Sequence, residues 1–290
     1  MDRTRTAGQG RGFTLIELLV VISIIALLMA VLMPSLQRVR KQARGVMCRA
    51  NVKHWGLIFS LYANDNSQSF PQNYQGDGMS TYDSYWCHAT MAYYENQDIR
   101  YCPSTKRNDI AIANVAGGGT NMEYGGTFIN WGPFAKENTA TPENWWDEFP
   151  EGSYGMNEWC SNPPSGRTEI WDAPVNLTWR KTINVRQANN TPLFLDCKLV
   201  DGYPRDTDLP PSDPDDHDGY LTNSMKMFCM DRHSGGINAA FVDGSARKVH
   251  LKELWTLKWH PQFNTNGMWT KARGVHPEGW PRWMQGFKDF

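Results

Sequence analysis

RGFTLIELLVVISIIALLMAVLMP, residues Arg11 to Pro34, decides how the rest of the chain is read. From Phe13 to Met33 it runs 21 residues with a single ionisable side chain, Glu17. As an α-helix rising ~1.5 Å per residue, that run is roughly 31 Å long, about the hydrocarbon thickness of a bilayer. A cleaved secretory signal has a shorter apolar part and a small-residue cleavage site, whereas this run ends in Met33-Pro34. An acid inside a spanning helix is costly unless it has a partner. Glu17 lies four residues, or about 6 Å of helix rise, beyond Phe13. Cutting the Gly12-Phe13 bond would create an amine at Phe13, and with it a positive charge close to Glu17.

The stretch GFTLIELLVVISIIALL resembles the class III signal of type IV pilins and type II secretion pseudopilins. In that family a membrane-embedded aspartic peptidase cuts after the glycine, the new amine is methylated, and the glutamate assists assembly. The resemblance implies that Gly12 is the cleavage residue, Phe13 the methylated terminus, and Glu17 the charge that pairs with a terminal amine during subunit docking. Residues 1–12 would be the leader, with Arg3, Arg5 and Arg11 on the cytoplasmic side. The charge bias points the other way. Arg38, Arg40, Lys41, Arg44, Arg49 and Lys53 follow the apolar run, and no acid lies between Glu17 and Asp65. Positive charge favours the cytoplasmic side of a membrane, but this is a bias over short flanks, and the family signal is the more specific guide.

Beyond the membrane-length segment, residues 13–34, helical periodicity resumes over residues 35–63. Pro34 should remove one backbone hydrogen bond and kink or loosen the helix. Leu36, Val39, Ala43, Val46, Met47, Ala50, His54, Leu57, Ile58 and Leu61 recur at three- and four-residue steps, an amphipathic stripe expected to pack on the chain's own head. Asn64-Asp65-Asn66 should end the helix. Residues 64–290 carry turn signals and short apolar runs rather than a long helical period. Thr191 to Cys197, TPLFLDC, reads as a buried strand, and Ile237 to Leu251 as a hairpin turning at Asp243-Gly244 in a type I′ turn.

A second resemblance lies in this region. RHSGGINAAFVDGSARKV carries His233, nine intervening residues, then Asp243 and Gly244, and is similar to the signature of a pseudopilin-like group described from planctomycetes and related bacteria. CRANVKHWGLIFSLYANDNSQSFP, YCPS and SYGMN also resemble members of that group. The Trp-rich insert, about residues 111–179, resembles nothing identifiable.

The candidate chemistry is sparse. Six cysteines show no CxxC pair and no zinc-ligand spacing, so thiol clustering on a metal is not expected. An even count is compatible with disulfides outside the cytoplasm, and Cys87 with Cys102 is the expected pair. The acidic stretch DGYPRDTDLPPSDPDDHDG holds seven aspartates, Asp201, Asp206, Asp208, Asp213, Asp215, Asp216 and Asp218, whose oxygen density suits calcium although the spacing is not that of an EF-hand. The known calcium loop of major pseudopilins points the same way; a solvated acidic loop is the plainer alternative. His233 and Asp243 could form an acid/base or metal pair, or merely order a loop and a turn, and no nucleophile accompanies them. The 13 tryptophans could offer stacking platforms, but core filling is their commoner use.

With a net charge of −1, the chain has no global attraction for nucleic acid. The expectation is an α+β protein: a long N-terminal helix, half membrane-spanning and half amphipathic, on a globular head with a small antiparallel sheet. Function would be structural rather than enzymatic, as a pilus or pseudopilus subunit, with no cofactor other than candidate calcium. Its partners would be other pilin subunits, the prepilin peptidase and an inner-membrane assembly platform. The head would lie in the periplasm on a single-pass anchor before entering the filament. The rivals are a membrane-tethered hydrolase using a metal on His233, Asp243 and His217, and a glycan-binding adhesin using the Trp-rich insert.

Overall fold

The N-terminus of the helix is closed by a capping box. Thr14 precedes the first helical residue, and its hydroxyl accepts from the Glu17 backbone N–H at 3.3 Å. In return, the Glu17 carboxylate accepts from the Thr14 backbone N–H at 2.9 Å and from the Thr14 hydroxyl at 2.8 Å. This reciprocal pairing satisfies donors that a helix start leaves open. From there α1 runs from Leu15 to Asp65 as 51 residues of continuous helix in the computed structural model, which describes residues 13–72, 86–106, 124–132, 151–170, 173–219 and 222–290. The helix runs on through Pro34. Proline's fixed φ is compatible with a helix, and one missing N–H is small against the rest of so long a ladder. After Asp65, Ser67 and Gln68 turn left-handed at φ +55° and +62°, and the Gln68 N–H donates back to the Ala63 carbonyl.

The chain divides into two units, Met1–Ala43 and Arg44–Phe290. In the first, the apolar side chains from Leu15 to Met33 are exposed, and α1 is the one described helix long and apolar enough to cross a membrane. In the second, α1 buries Cys48, Val52, Trp55, Gly56, Ile58, Phe59 and Ala63. That face differs from the expected stripe. Of the expected set Ile58 is buried, but Val46, Met47, Leu57 and Leu61 are exposed. The helix carries apolar residues on two sides, and the aromatic Trp55 and Phe59 select the side that packs because they bury the larger area.

The head is built on a five-stranded sheet in the order β5-β1-β4-β6-β7, where β1 is Tyr154–Asn157, β4 Pro192–Asp196, β5 Asp201–Gly202, β6 Gly236–Phe241 and β7 Ala246–His250. β2, Glu169–Ile170, pairs with β3, Ala173–Pro174, as a separate ribbon. Pairing is antiparallel except for the short edge pair β1–β5, which is parallel. The mixed α+β class is thus as expected, with one parallel pair added. All five residues of β4 and all six of β6 are buried. The hairpin β6–β7 turns at Asp243-Gly244, with only Gly244 left-handed at φ +80°, so the loop is a longer hairpin turn than type I′, which needs two positive φ values.

Trp55 sits at the centre of an aromatic cluster, 4.8 Å from Phe194 of β4 and 5.2 Å edge-on to Trp86, while its Nε1 donates to the Ile99 carbonyl at 3.0 Å. A Cβ on Gly56 would stand 3.2 Å from the Ala240 methyl, so the glycine lets α1 lie close on β6. The described tryptophans of the insert region, Trp131, Trp159 and Trp179, are buried, as are Trp255, Trp259 and Trp280. They fill the core; Trp145, Trp146 and Trp171 lie outside the described residues.

Candidate functional site

Four side chains remote in sequence meet within the head. Cys48 is the first buried residue of α1. Cys102 follows the short helical turn Gln97–Arg100, with its backbone N–H donated to the Ser153 hydroxyl. Asp196 ends β4. His233 stands in the loop entering β6, where Ser234 and Gly235 are left-handed at φ +53° and +86° and the His233 N–H donates to the Gly236 carbonyl at 2.9 Å. That tight reversal turns the imidazole toward the helix.

The ligand atoms of the four residues lie within 4.8 Å of one another. His233 Nε2 is 3.1 Å from Cys48 Sγ, 3.4 Å from Cys102 Sγ and 3.3 Å from Asp196 Oδ2. Cys48 Sγ is 3.4 Å from Asp196 Oδ1. Cys48, Cys102 and Asp196 are buried, and only 6% of the His233 side chain is exposed. Behind the cluster, Arg232 donates to Asp196 Oδ1 at 3.0 Å, with both side chains fully buried. The same guanidinium reaches the Gly126, Thr127, Ser153 and Cys197 carbonyls. The Asn238 backbone N–H donates to Asp196 Oδ2 at 2.8 Å. The carboxylate is thereby held from two sides.

Electrostatics in the cluster follow from that crowding. Burial alone would raise the Asp196 carboxyl, but the His233 and Arg232 charges hold it well below the usual range. Burial pushes the Cys48 thiol well up, reinforced by Cys102 and the Asp196 charge. Burial also opposes ionisation of Cys102, yet hydrogen bonds from Cys48 and His233 and the Arg232 charge bring it down to about 6. Burial would lower His233, but Asp196 and Cys102 raise it to about 9. The cluster is a place that concentrates negative charge and holds a positive one.

The sequence-level candidates fall out differently. His233 and Asp243 flank β6 at opposite ends, so they form neither an acid/base pair nor a joint metal site. At ~3.4 Å per residue, the nine intervening positions are a strand's length and not a loop's. Asp243 instead accepts from the Ser245 N–H at 2.9 Å in the hairpin turn. His217 stacks on Tyr124 at 4.8 Å, apart from both. All six cysteines are free, so the expected Cys87–Cys102 disulfide is not formed; Cys102 faces Cys48 and His233 instead. Cys48 and Cys102 do come together with Asp196 and His233, and side chains drawn from α1, a turn, a strand end and a loop have no local spacing to read.

The acidic stretch is engaged largely in holding its own turns. Asp208 accepts from the Arg205 and Met225 N–H groups, Asp213 from the Asp215 N–H, and Asp215 from the Thr127 N–H. Asp216 pairs with Lys226 at 3.0 Å and accepts from Ser212, and its N-terminal neighbours tie down through the buried Lys198, which donates to the Pro214 and Asp216 carbonyls. Asp201 is buried in β5, while Asp206 and Asp218 lie on the outer turns. Among the described residues, the group of His, Cys and acidic side chains close enough to share an ion is the Cys48 cluster and not this loop.

Phe13 lies two residues before α1 and Glu17 in its first turn, and Gly12 lies outside the described residues. The Glu17 capping box went unread in the sequence although its signal, Thr followed three residues later by Glu before an apolar run, was available. Arg232 was also missed; nothing local marks an arginine as buried.

Comparison with known proteins bears on the N-terminal part. Residues 9–33 match the family model of the prokaryotic N-terminal methylation motif. A stretch of 59 residues is 46% identical to the type IV wide pilus major component PilA4 of Thermus thermophilus, covering 20% of this chain. The chain spans 45% of that relative's length. No solved structure matches the chain.

Proposed function

We propose that the chain is a structural subunit of a pilus-like or type II secretion pseudopilus filament, a reading supported by its match to the N-terminal methylation motif and its likeness to a type IV pilin over the N-terminal part. The prepilin peptidase cuts between Gly12 and Phe13, the new amine of Phe13 is methylated, and the helices of many copies pack together with their heads outside. Before assembly the subunit is a single-pass inner-membrane protein with its head in the periplasm.

The observation that carries this reading is Glu17 at the mouth of an otherwise apolar helix, inside the matched motif. In the free chain its carboxylate caps the helix through Thr14. After cleavage the Phe13 amine lies one residue from that cap, so the same carboxylate can pair with an amine, its own or a neighbour's. The exposed apolar side of α1 supports the same reading: Val46, Met47, Leu57 and Leu61 face away from the head core and suit helix-to-helix packing between copies.

Mass spectrometry of the mature N-terminus tests it. A methylated Phe13 is expected, and an intact Met1 refutes the processing route. Glu17→Ala should leave cleavage intact and abolish filament formation; unchanged filaments in that variant refute the assembly role.

A further inference from the structure

We propose that Cys48, Cys102, Asp196 and His233 form a structural zinc site that ties α1 to three separate parts of the head. The proposal stands apart from the filament reading, since every ligand lies in the unit Arg44–Phe290.

The geometry argues for a cation at the centre rather than a hydrogen-bond network. Nε2 of His233 lies 3.1, 3.4 and 3.3 Å from two sulfurs and a carboxylate oxygen. An imidazole nitrogen carries one hydrogen or one lone pair, so it cannot satisfy three acceptors at once. With Zn–S about 2.3 Å and Zn–N and Zn–O about 2.0–2.1 Å, the edges of a tetrahedral site are about 3.5 Å for S to N or O and about 3.3 Å for N to O. Four of the six separations, taken to the one oxygen Asp196 Oδ2, agree: 3.1 and 3.4 Å for S to N, 3.5 Å for Cys48 Sγ to Oδ2, and 3.3 Å for Nε2 to Oδ2.

Ligand chemistry selects the metal. Two thiolates and an imidazole favour zinc over calcium or magnesium, and a buried four-ligand set is the closed form of a structural site. Charge balance fits burial as well. Two thiolates and a carboxylate carry three negative charges, which a divalent ion and the Arg232 guanidinium cancel. Binding takes up one Zn2+ and releases two protons to solvent, one from the Cys48 thiol and one shared by the Cys102–His233 pair, leaving two thiolates and a neutral His233 with no redox change. Arg232 and the Asn238 N–H hold the carboxylate in place, as outer partners do in metal sites. The bound ion links chain positions 185 residues apart, between Cys48 and His233.

The test uses the full chain in detergent micelles, purified with reductant, stripped with a chelator and given Zn2+ or Co2+. One zinc ion per chain should be retained through gel filtration. Cobalt should give a thiolate charge-transfer band and the intense visible bands of a tetrahedral site. Cys102→Ser and His233→Gln should each weaken binding by more than the ~10–100-fold that outer-shell changes cost, while Cys160→Ser, a buried cysteine elsewhere, should not. The cobalt spectrum of the unaltered chain stands even where a ligand variant fails to fold. Sub-stoichiometric zinc, an octahedral cobalt spectrum without the thiolate band, or a Cys48–Cys102 disulfide in chain isolated without reductant would each overturn the site.

Discussion

Arg232→Met is the sharpest probe of the head's interior. The guanidinium is fully buried, pairs with Asp196 at 3.0 Å, and donates to the Thr127 carbonyl at 2.7 Å and the Gly126 carbonyl at 3.0 Å. Methionine fills much of the volume but strands the carboxylate and the carbonyls. Breaking a buried ion pair by removing one partner costs about 3–5 kcal/mol, because the remaining charge stays desolvated. Urea unfolding followed by tryptophan fluorescence reports on the head, since all 13 tryptophans follow Arg44. With a slope of about 3 kcal/mol per molar urea, the midpoint should fall by on the order of 1 M. Asp196→Asn combined with Arg232→Met should cost less than the sum of the single changes, because the two groups touch. A midpoint shift below about a third of that value, or strict additivity in the double variant, would show that the pair is not what holds this part of the core.

Two further outcomes concern the rest of the head. Trp55→Ala should cost about 3–5 kcal/mol, since the ring is buried against Phe194 and Trp86 and its Nε1–H is bonded to Ile99; a loss under about 1 kcal/mol by the same urea assay would refute the central role of that contact. His260 is held neutral, its pKa lowered by burial and then by Lys258 and Arg205 to about 4, beside Trp159 at 4.7 Å. A depressed pKa gives stability that is full above the unfolded value, about 6.5, and is lost as pH falls toward about 4. The advantage of the unaltered chain over His260→Gln should therefore shrink by about 3 kcal/mol across that window, and a pH-independent difference would refute it.

How much of this was legible in the sequence depends on whether the signal is local. The apolar helix is a run, the β6–β7 hairpin is an alternation around Asp243-Gly244, and β4 is a dense apolar block, so each was readable within a short window. The packing face of α1 was not. Its two apolar sides are equally periodic, and the choice between Trp55 with Phe59 and Leu57 with Leu61 is made by Phe194 and Ala240, which lie far along the chain. His233 was singled out for its spacing from Asp243, yet β6 carries the two apart and brings Asp196 and two cysteines to His233 instead.

The same non-locality explains why the metal cluster sits where it does. Cys48 is the first side chain of α1 to be buried, so the helix enters the head core at the position that also supplies a ligand. Around that entry the Gly45 carbonyl accepts from Asn238 Nδ2 at 3.2 Å and Asn51 Nδ2 donates to the Tyr101 carbonyl at 3.0 Å. A ligand bond at Cys48, answered by Cys102, Asp196 and His233, closes that end, while Trp55 and Phe59 hold the middle. Zinc removal should accordingly loosen the helix around Gly45 to Val52 before it disturbs Trp55. Amide exchange measured along α1 with and without chelator resolves that order, and simultaneous loss of protection at both positions would mean that the helix and the head open as one unit.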